Sequence, residues 1–234
     1  MREGNYNPRA GRPVPIELIY QSNTITEEEY KAEVDRQRRV AQALRNGEAI
    51  DDMEAEAEAL NQRAVRAGVP KRYLQYAVDL RRIEDLNAGS GIYICGVQGS
   101  RKTTLACSML RGWLKDNPFG VARFIRSTTL MDDFKETYST RGSEADVMRQ
   151  HASVGLLLID DLGKEVASNW AVSKLWELID RRYGEMLPTI VTTQHRPDEL
   201  AEHLCEGDTE AALAIVSRFR ETYLLMDMGD TDYR

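Results

Sequence analysis

Residues 91–103 form the segment that most constrains what this chain can fold into. They read Gly-Ile-Tyr-Ile-Cys-Gly-Val-Gln-Gly-Ser-Arg-Lys-Thr. A short apolar run, Ile92 to Cys95, leads into a glycine-containing turn, and Lys102-Thr103 then opens a stretch with helical apolar spacing. A strand, a glycine turn, Lys-Thr and a helix are the parts of a P-loop, in which backbone N–H groups and a helix N-terminus hold phosphates.

The P-loop pattern predicts both the ligand and the residues that hold it. Lys102 is expected to reach the β and γ oxygens of ATP, and the Thr103 hydroxyl is expected to bind Mg²⁺. The residues predicted to bind the nucleotide are Gly96, Val97, Gln98, Gly99, Ser100, Arg101, Lys102, Thr103 and Thr104.

Arg101 departs from the general pattern G-x-x-x-x-G-K-[ST], which has glycine before the lysine. Glycine tolerates a positive φ there and lets the backbone approach the phosphates. An arginine must either accept a strained backbone or point its side chain out of the loop. A chance match of glycine and Lys-Thr is the alternative interpretation of this segment.

A second motif, Val154 to Asp161, supports the first. It is an apolar run that ends in two aspartates, as expected of a strand buried on both faces of a parallel sheet. Asp160 is predicted to hold Mg²⁺, as a Walker B aspartate does. Asp161 is predicted to be the general base that polarises the attacking water. A solvated Asp-Asp turn is the alternative.

Composition is that of an ordinary soluble protein, with 42% hydrophobic and 29% charged residues in 234. No apolar run is long enough to span a membrane, and the N-terminus lacks a signal core, so we expect a cytoplasmic location and no membrane partner. Cys95, Cys107 and Cys205 lack metal-type spacing and are expected to be reduced thiols. A net charge of −7 argues against nucleic-acid binding over the whole surface but permits a local basic strip.

Three regions are predicted along the chain. Residues 1–22, with three prolines, suggest an extended or disordered arm. Residues 23–68 read as a helical hairpin, because Thr26 and Glu29 form a capping box and apolar residues from Ile50 onward have helical spacing up to a stop at Gly68. The hairpin is expected to dock on the main domain or to bind another protein. Residues 69–234 are expected to form the ATPase domain.

This domain alternates strands and helices, which predicts an α/β fold with a parallel sheet. The further predicted elements are a strand at 121–125, a polar helix-prone stretch at 128–150, a helix at 170–183, a strand at 189–193, a short helix opened by Pro197, a helix at 208–221 and a strand at 223–226.

Several ordered motifs together resemble the DnaC/IstB group of AAA+ ATPases, which are helicase loaders and transposition helpers. The matching segments are 66–73, 156–163, 192–194, 216–219 and 232–234. The resemblance covers roughly residues 65–234, and it implies a P-loop NTPase three-layer sandwich. Little chain follows residue 194, so the separate C-terminal helical lid of larger AAA+ proteins is expected to be reduced or absent.

The resemblance also implies roles for residues outside the P-loop. Gln194 matches the sensor-1 position, where a side-chain amide can orient the water or touch the γ-phosphate. Arg218 matches the arginine finger, which stabilises charge on a neighbouring subunit's nucleotide and therefore implies a homo-oligomer. Arg220 and Arg234 are weaker candidates for that role. The alternatives are a strand-end residue without a role for Gln194 and surface salt bridges for Arg220 and Arg234.

The stretch at 128–150 resembles an insertion that faces single-stranded DNA in helicase loaders. Its basic and aromatic residues are Phe134, Lys135, Tyr138, Arg141 and Arg149, and His151 follows it. They could track a phosphate backbone and stack on a base. Five acidic residues lie among them, so a solvated helix is the alternative.

Three functional hypotheses follow. The first is an oligomeric ATPase that loads a replicative helicase on single-stranded DNA and binds the helicase through residues 1–68. The second is a helper ATPase for a transposase, acting on double-stranded DNA. The third is a nucleotide-binding scaffold without turnover, in which Arg101 weakens the phosphate cradle.

Overall fold

The computed structural model describes residues 49–139, 142–164, 168–205 and 208–229. Several predictions therefore lie outside the described residues: the arm at 1–22, the first helix of the hairpin, Arg141 and Arg234. In the part of the chain that is described, no helix is long and apolar enough to cross a lipid bilayer.

Five parallel strands form one sheet, in the order β2-β3-β4-β1-β5. Their bounds are β1 Gly91–Cys95, β2 Ala122–Arg126, β3 Leu156–Leu162, β4 Thr189–Thr193 and β5 Tyr223–Asp227. Every residue of β1 and β4 is buried, which explains the unbroken apolar runs in the sequence. Because β4 lies between β1 and β3, the carboxyl ends of these three strands are adjacent.

Helices cover both faces of the sheet. Their bounds are α1 Ala49–Arg66, α2 Ile83–Asn87, α3 Lys102–Asp116, α4 Ser127–Glu136, α5 Glu144–Ala152, α6 Asn169–Gly184, α7 Pro197–Leu204 and α8 Thr209–Thr222. One face packs against a core that includes Leu60, Leu86 and Leu110, and the other against a core that includes Phe134, Leu178 and Ile215. The structure thus confirms the predicted α/β sandwich of three layers.

Helix α1 is the second helix of the predicted hairpin, and it docks on the main domain. Leu60 and Ala64 belong to the same buried cluster as the P-loop strand. The Arg63 guanidinium donates to the carbonyls of Leu114 at 2.6 Å and Asn117 at 2.7 Å, at the end of α3. The division between hairpin and ATPase domain at residue 68 stays a prediction, but the second helix of the hairpin shares the ATPase core.

The C-terminal part of the described chain forms no separate lid. Helices α7 and α8 follow β4, and the chain then returns to the sheet as β5, beside β1. Phe219 of α8 packs on Tyr93 of β1, with ring centroids 5.3 Å apart. This agrees with the expectation of a reduced lid.

Two of the residues named for a DNA-facing surface at 128–151 are not accessible to a ligand. This stretch forms two helices, α4 and α5, and Phe134 and His151 are both fully buried. Phe134 contacts Trp170 edge to face, with centroids 6.4 Å apart, so its ring cannot stack on a base. Arg149 pairs with Asp146 of its own helix at 2.8 Å. The Arg149 contact is in line with the solvated-helix alternative, and DNA binding by the remaining residues stays a prediction.

Candidate nucleotide-binding site

The P-loop connects β1 to α3 through a turn that contains two glycines with positive φ. Gly96 has φ +144° and Gly99 has φ +87°. A Cβ on Gly96 would lie 3.1 Å from the Met228 side chain and 3.1 Å from the Gly229 carbonyl oxygen. The segment that follows β5 therefore packs against this turn and leaves little room for a side chain at position 96. The glycines therefore serve the loop geometry that the sequence predicted.

Arg101 is the residue that caps α3, and its backbone is in a region that glycine tolerates better than other residues. Its φ is +63° and its ψ is +23°, in the left-handed region. The first alternative from the sequence, a strained backbone, is therefore correct. Such a conformation costs a non-glycine residue roughly 1–2 kcal/mol.

The Lys102 ammonium lies beneath the loop. Its Nζ donates to the carbonyl oxygens of Gly96 at 2.7 Å and Val97 at 2.8 Å, and it contacts Ser100 Oγ at 3.4 Å. Burial lowers the pKa of Lys102; the charge of Asp161 opposes this change. Gly96, Val97 and Ser100 of the loop thus hold the ammonium in this position.

Thr103 and the Walker B strand meet directly. The Thr103 hydroxyl donates to Asp160 Oδ1 at 2.8 Å, and the Thr192 hydroxyl donates to the same oxygen at 2.7 Å. Burial raises the pKa of Asp160, and these two hydrogen bonds oppose the rise. The network joins α3, β3 and β4 at one point.

Thr103 and Asp160 fit the predicted Mg²⁺ site. Magnesium prefers oxygen ligands and keeps several waters, with one or two protein groups and the substrate phosphates completing its shell. A hydroxyl and a carboxylate 2.8 Å apart, at the start of the P-loop helix, match that donor set. The described residues contain no cluster of three or more His, Cys, Asp or Glu side chains that would compete for a metal.

A β-bulge aims Asp161 differently from Asp160. The register between β3 and β4 shifts between Ile159 and Leu162, and Asp161 has φ +58°. Aspartate tolerates this conformation better than most residues. Its carboxylate pairs with Lys164, at 2.7 Å between Oδ2 and Nζ. The strand continues to Leu162, so both aspartates lie within its last residues and not after it.

A cleft of about 340 Å³ collects most of the predicted residues. It is lined by Arg72, Tyr73, Tyr76, Gln98, Gly99, Arg101, Lys102, Thr103, Thr104, Asp161, Lys164 and Gln194. A neighbouring cleft of about 460 Å³ shares Tyr76, Arg101 and Thr104 with it and extends along residues 76–79. Together they offer a charged compartment beside a more apolar one, as a nucleotide requires.

Arg72, Tyr73 and Tyr76 also line this cleft, and no motif in the sequence predicted a role for them. Tyr73 lines the cleft beside Thr103, and burial raises the pKa of Tyr73. Residues 66–73 carried part of the family resemblance, and that was the signal available. The spacing of residues along the chain does not reveal that the segment with the short 3₁₀ helix at Lys71–Tyr73 lies beside the P-loop.

Gln194 and Arg218 occupy different parts of the domain. Gln194 follows β4 and lines the cleft beside Asp161, and its sensor-1 role stays a prediction. Arg218, on α8, does not line the cleft. Its guanidinium bonds Asp180 at 3.1 Å and lies 4.3 Å from the centre of the Tyr183 ring on α6.

Arg220, the weaker candidate for the arginine finger, pairs with Asp198. This contact is in line with the salt-bridge alternative for Arg220.

Comparison with known proteins identifies the family of the chain. The chain matches, over residues 22–234, the sequence profile of the family described as IstB-like ATP binding protein. Among curated proteins, none matches the chain significantly.

Solved structures share the fold at low sequence identity. The crystal structure of DnaI matches with a TM-score of 0.54 and 22% identity, over 70% of this chain and 94% of that one. The DnaC helicase loader matches with a TM-score of 0.54 and 21% identity, over 68% and 99%. AMPPCP-bound DnaA from Aquifex aeolicus matches with a TM-score of 0.52 and 19% identity, over 63% and 43%. The fold is that of the P-loop AAA+ domains.

Proposed function

The chain belongs to the IstB-like ATP-binding proteins, and from that premise we propose that it is a Mg²⁺-dependent ATPase that acts as a helicase loader. The observation that carries the ATPase proposal is the hydrogen bond from Thr103 to Asp160. It joins the two predicted metal ligands directly beside Lys102, and a decayed site would have no reason to keep this arrangement.

In the proposed reaction each residue of the cleft has a separate task. Lys102 exchanges the carbonyls of Gly96 and Val97 for phosphate oxygens, and the loop N–H groups cradle the phosphates. Thr103 and Asp160 would hold Mg²⁺, which supplies charge neutralisation on the phosphates when bound. Asp161 accepts a proton from the attacking water, and Gln194 orients that water.

Arg218 is proposed as an arginine finger that completes the site of a second copy. Asp180 and the Tyr183 ring hold its guanidinium on the surface formed by α6 and α8, with 30% of its side chain exposed. A guanidinium held in one place loses less freedom on meeting a phosphate. The proposal requires a homo-oligomer in which this surface faces the neighbour's cleft.

The helicase-loader role rests on the solved structures that share this fold. DnaI and DnaC both match, and the second of these is a helicase loader. We propose a replicative helicase as partner, bound through residues 1–68, and single-stranded DNA as a further ligand in the cytoplasm. The second candidate is a transposition helper on double-stranded DNA, since the DnaC/IstB group that the sequence resembles includes such proteins and the matching family is IstB-like.

The third candidate, a scaffold without turnover, is disfavoured by the geometry of Arg101. Its backbone takes the left-handed conformation that glycine would take, so the substitution leaves the turn of the loop in place. A blocked cradle would instead require that the loop be displaced from Lys102 and Thr103.

The test is ATP hydrolysis by the full chain with Mg²⁺, alone and with single- or double-stranded DNA. Turnover that single-stranded DNA stimulates, together with co-precipitation of the host's replicative helicase, supports the loader. Stimulation by double-stranded DNA without helicase capture supports the transposition helper. Nucleotide binding without hydrolysis under all these conditions supports the scaffold and contradicts the ATPase.

A further inference from the structure

Lys164 is a second lysine of the phosphate cleft, and the P-loop pattern does not account for it. It follows the Walker B strand and lines the same cleft as Lys102 and Thr103. Its ammonium contacts Asp161 Oδ2 at 2.7 Å. The backbone N–H of Lys164 also donates to the Asp161 carbonyl at 3.3 Å, so a tight turn fixes the two residues relative to each other.

The partner of Lys164 is the carboxylate proposed as general base. The Asp161 side chain is 31% exposed and that of Lys164 is 43% exposed, so the pair lies at the wall of the cleft and both groups remain within reach of a ligand there. A partly exposed ion pair of this kind contributes little to stability. It can therefore exchange for a more strongly charged partner.

We propose that Lys164 recognises the γ-phosphate of ATP and gives up Asp161 in exchange. This inference rests on the proposed ATPase function. A γ-phosphate carries more negative charge than one carboxylate and offers three acceptor oxygens, so the ammonium gains by the change of partner. Asp161, relieved of its cation, is then available to accept a proton from water.

The exchange links recognition of the γ-phosphate to activation of the base. ADP presents no γ-phosphate, so with ADP the Lys164–Asp161 pair stays closed. Lys102 holds the β-phosphate and is needed for both nucleotides. Lys164 is thus a positioning residue for Asp161 and a specificity determinant for ATP over ADP.

Nucleotide affinity measured by calorimetry on the full chain tests the first half of this inference, with the non-hydrolysable analogue AMPPNP and with ADP, both with Mg²⁺. Lys164→Ala should weaken AMPPNP binding by about tenfold or more and leave ADP binding within about twofold. Lys164→Arg should retain most of the AMPPNP affinity. Lys115→Ala, which removes an exposed lysine at the end of α3, is the matched control and should change neither.

A double-mutant cycle tests the exchange itself. Asp161→Asn should strengthen AMPPNP binding, because Lys164 no longer has a competing carboxylate. If Asp161 only repelled the phosphate, Asp161→Asn would raise the AMPPNP affinity equally in the wild-type and the Lys164→Ala backgrounds. If Lys164 exchanges partners, the gain in AMPPNP affinity should be clearly smaller in the Lys164→Ala background. Lys164→Ala should weaken AMPPNP binding, whereas Asp161→Asn should strengthen it. A purely structural ion pair would behave differently, because removing either partner would change the AMPPNP affinity in the same direction.

The outcomes separate this inference from the proposed function. If the wild-type chain binds both nucleotides and Lys164→Ala binds them equally well, or loses both equally, the role of Lys164 is wrong and the ATPase proposal stands. An additive cycle overturns the exchange. If the wild-type chain binds neither nucleotide, both proposals fail together.

Discussion

The Thr103 hydroxyl donates a hydrogen bond of 2.8 Å to Asp160 Oδ1 across 57 residues of sequence. The bond ties the first turn of the P-loop helix to β3, and Thr192 on the neighbouring strand β4 bonds the same oxygen. Hydrogen bonds within the protein therefore hold the two proposed metal ligands next to each other. The next residue, Asp161, lines the cleft. We therefore expect catalysis to be sensitive to substitution of Asp161.

Asp161→Asn should slow ATP hydrolysis by about 100-fold or more, because a carboxamide cannot accept a proton from water. ATP binding should be retained or strengthened. Single-turnover hydrolysis, with nucleotide binding measured in parallel, checks this. Asp132→Asn, which changes an exposed acid on α4, is the control. Equal turnover would contradict the assignment of Asp161 and would point to Glu165, which lies outside the described residues, or to another base.

Arg218→Ala should abolish turnover while each subunit still binds nucleotide, because the finger acts on a neighbour's site. Mixing this variant with Asp161→Asn should restore part of the activity, since an intact finger can then meet an intact site. Asp180→Ala releases Arg218 without removing it, so it should lower turnover less than Arg218→Ala does. A mixture that stays as inactive as its components would count against action in trans.

Arg101→Gly should change ATP affinity by about tenfold or less, equivalent to about 1.4 kcal/mol. The loop already has the glycine conformation, so the substitution relieves strain without reshaping the cradle. The free energy of unfolding should rise by up to about 1 kcal/mol, as the relieved strain is partly offset by the greater chain entropy of glycine. A wild-type chain that binds no ATP beside a variant that does would favour the scaffold.

His151 should make stability depend on pH. Burial, together with the charges of Arg123 and Arg182, lowers the pKa of His151 to about 4. Neither ring nitrogen has a hydrogen-bond partner among the described residues, and Asp133 Oδ2 lies 3.7 Å from Nε2. The unfolded chain, with an ordinary histidine pKa near 6.5, therefore binds a proton before the folded one does as the pH falls.

The contribution of the neutral His151 ring to the free energy of unfolding is thus fully present above about pH 6.5, and it is lost progressively as the pH falls towards 4. At pH 5 the loss should be about 2 kcal/mol. Urea unfolding at pH 7 and pH 5 measures it, and His151→Leu should show a loss smaller by that amount. Parallel pH dependences for the two proteins would show that His151 is not the group responsible.

The sequence was informative where a local pattern has one physical solution. The apolar run before Asp160 could be buried only as a central strand, and the glycine turn before Lys102 predicted the phosphate loop. The order of the strands was not predictable in the same way. It depends on how β4 inserts between β1 and β3, and no residue spacing along the chain records that.

Positions that only the fold determines account for what was missed. Tyr73, in the short 3₁₀ helix, lines the same cleft as Thr103. Lys164 meets Asp161, three residues earlier, just after the register of β3 shifts. Phe134 looked like an aromatic available for stacking on a base, yet it is buried against Trp170. In each case the position in the fold, and not the residue type, decides the role.

The most direct test of the central claim is the affinity of the full chain for Mg²⁺-ATP, measured beside that of Lys102→Ala. Lys102 lies buried beneath the loop with Gly96 and Val97 as its partners, and its ammonium is the cation placed to meet the β- and γ-phosphates. We predict micromolar or tighter binding by the wild-type chain, and at least about 100-fold weaker binding by a folded Lys102→Ala variant. Equal affinity of the two proteins would contradict the assignment of this loop as the nucleotide site.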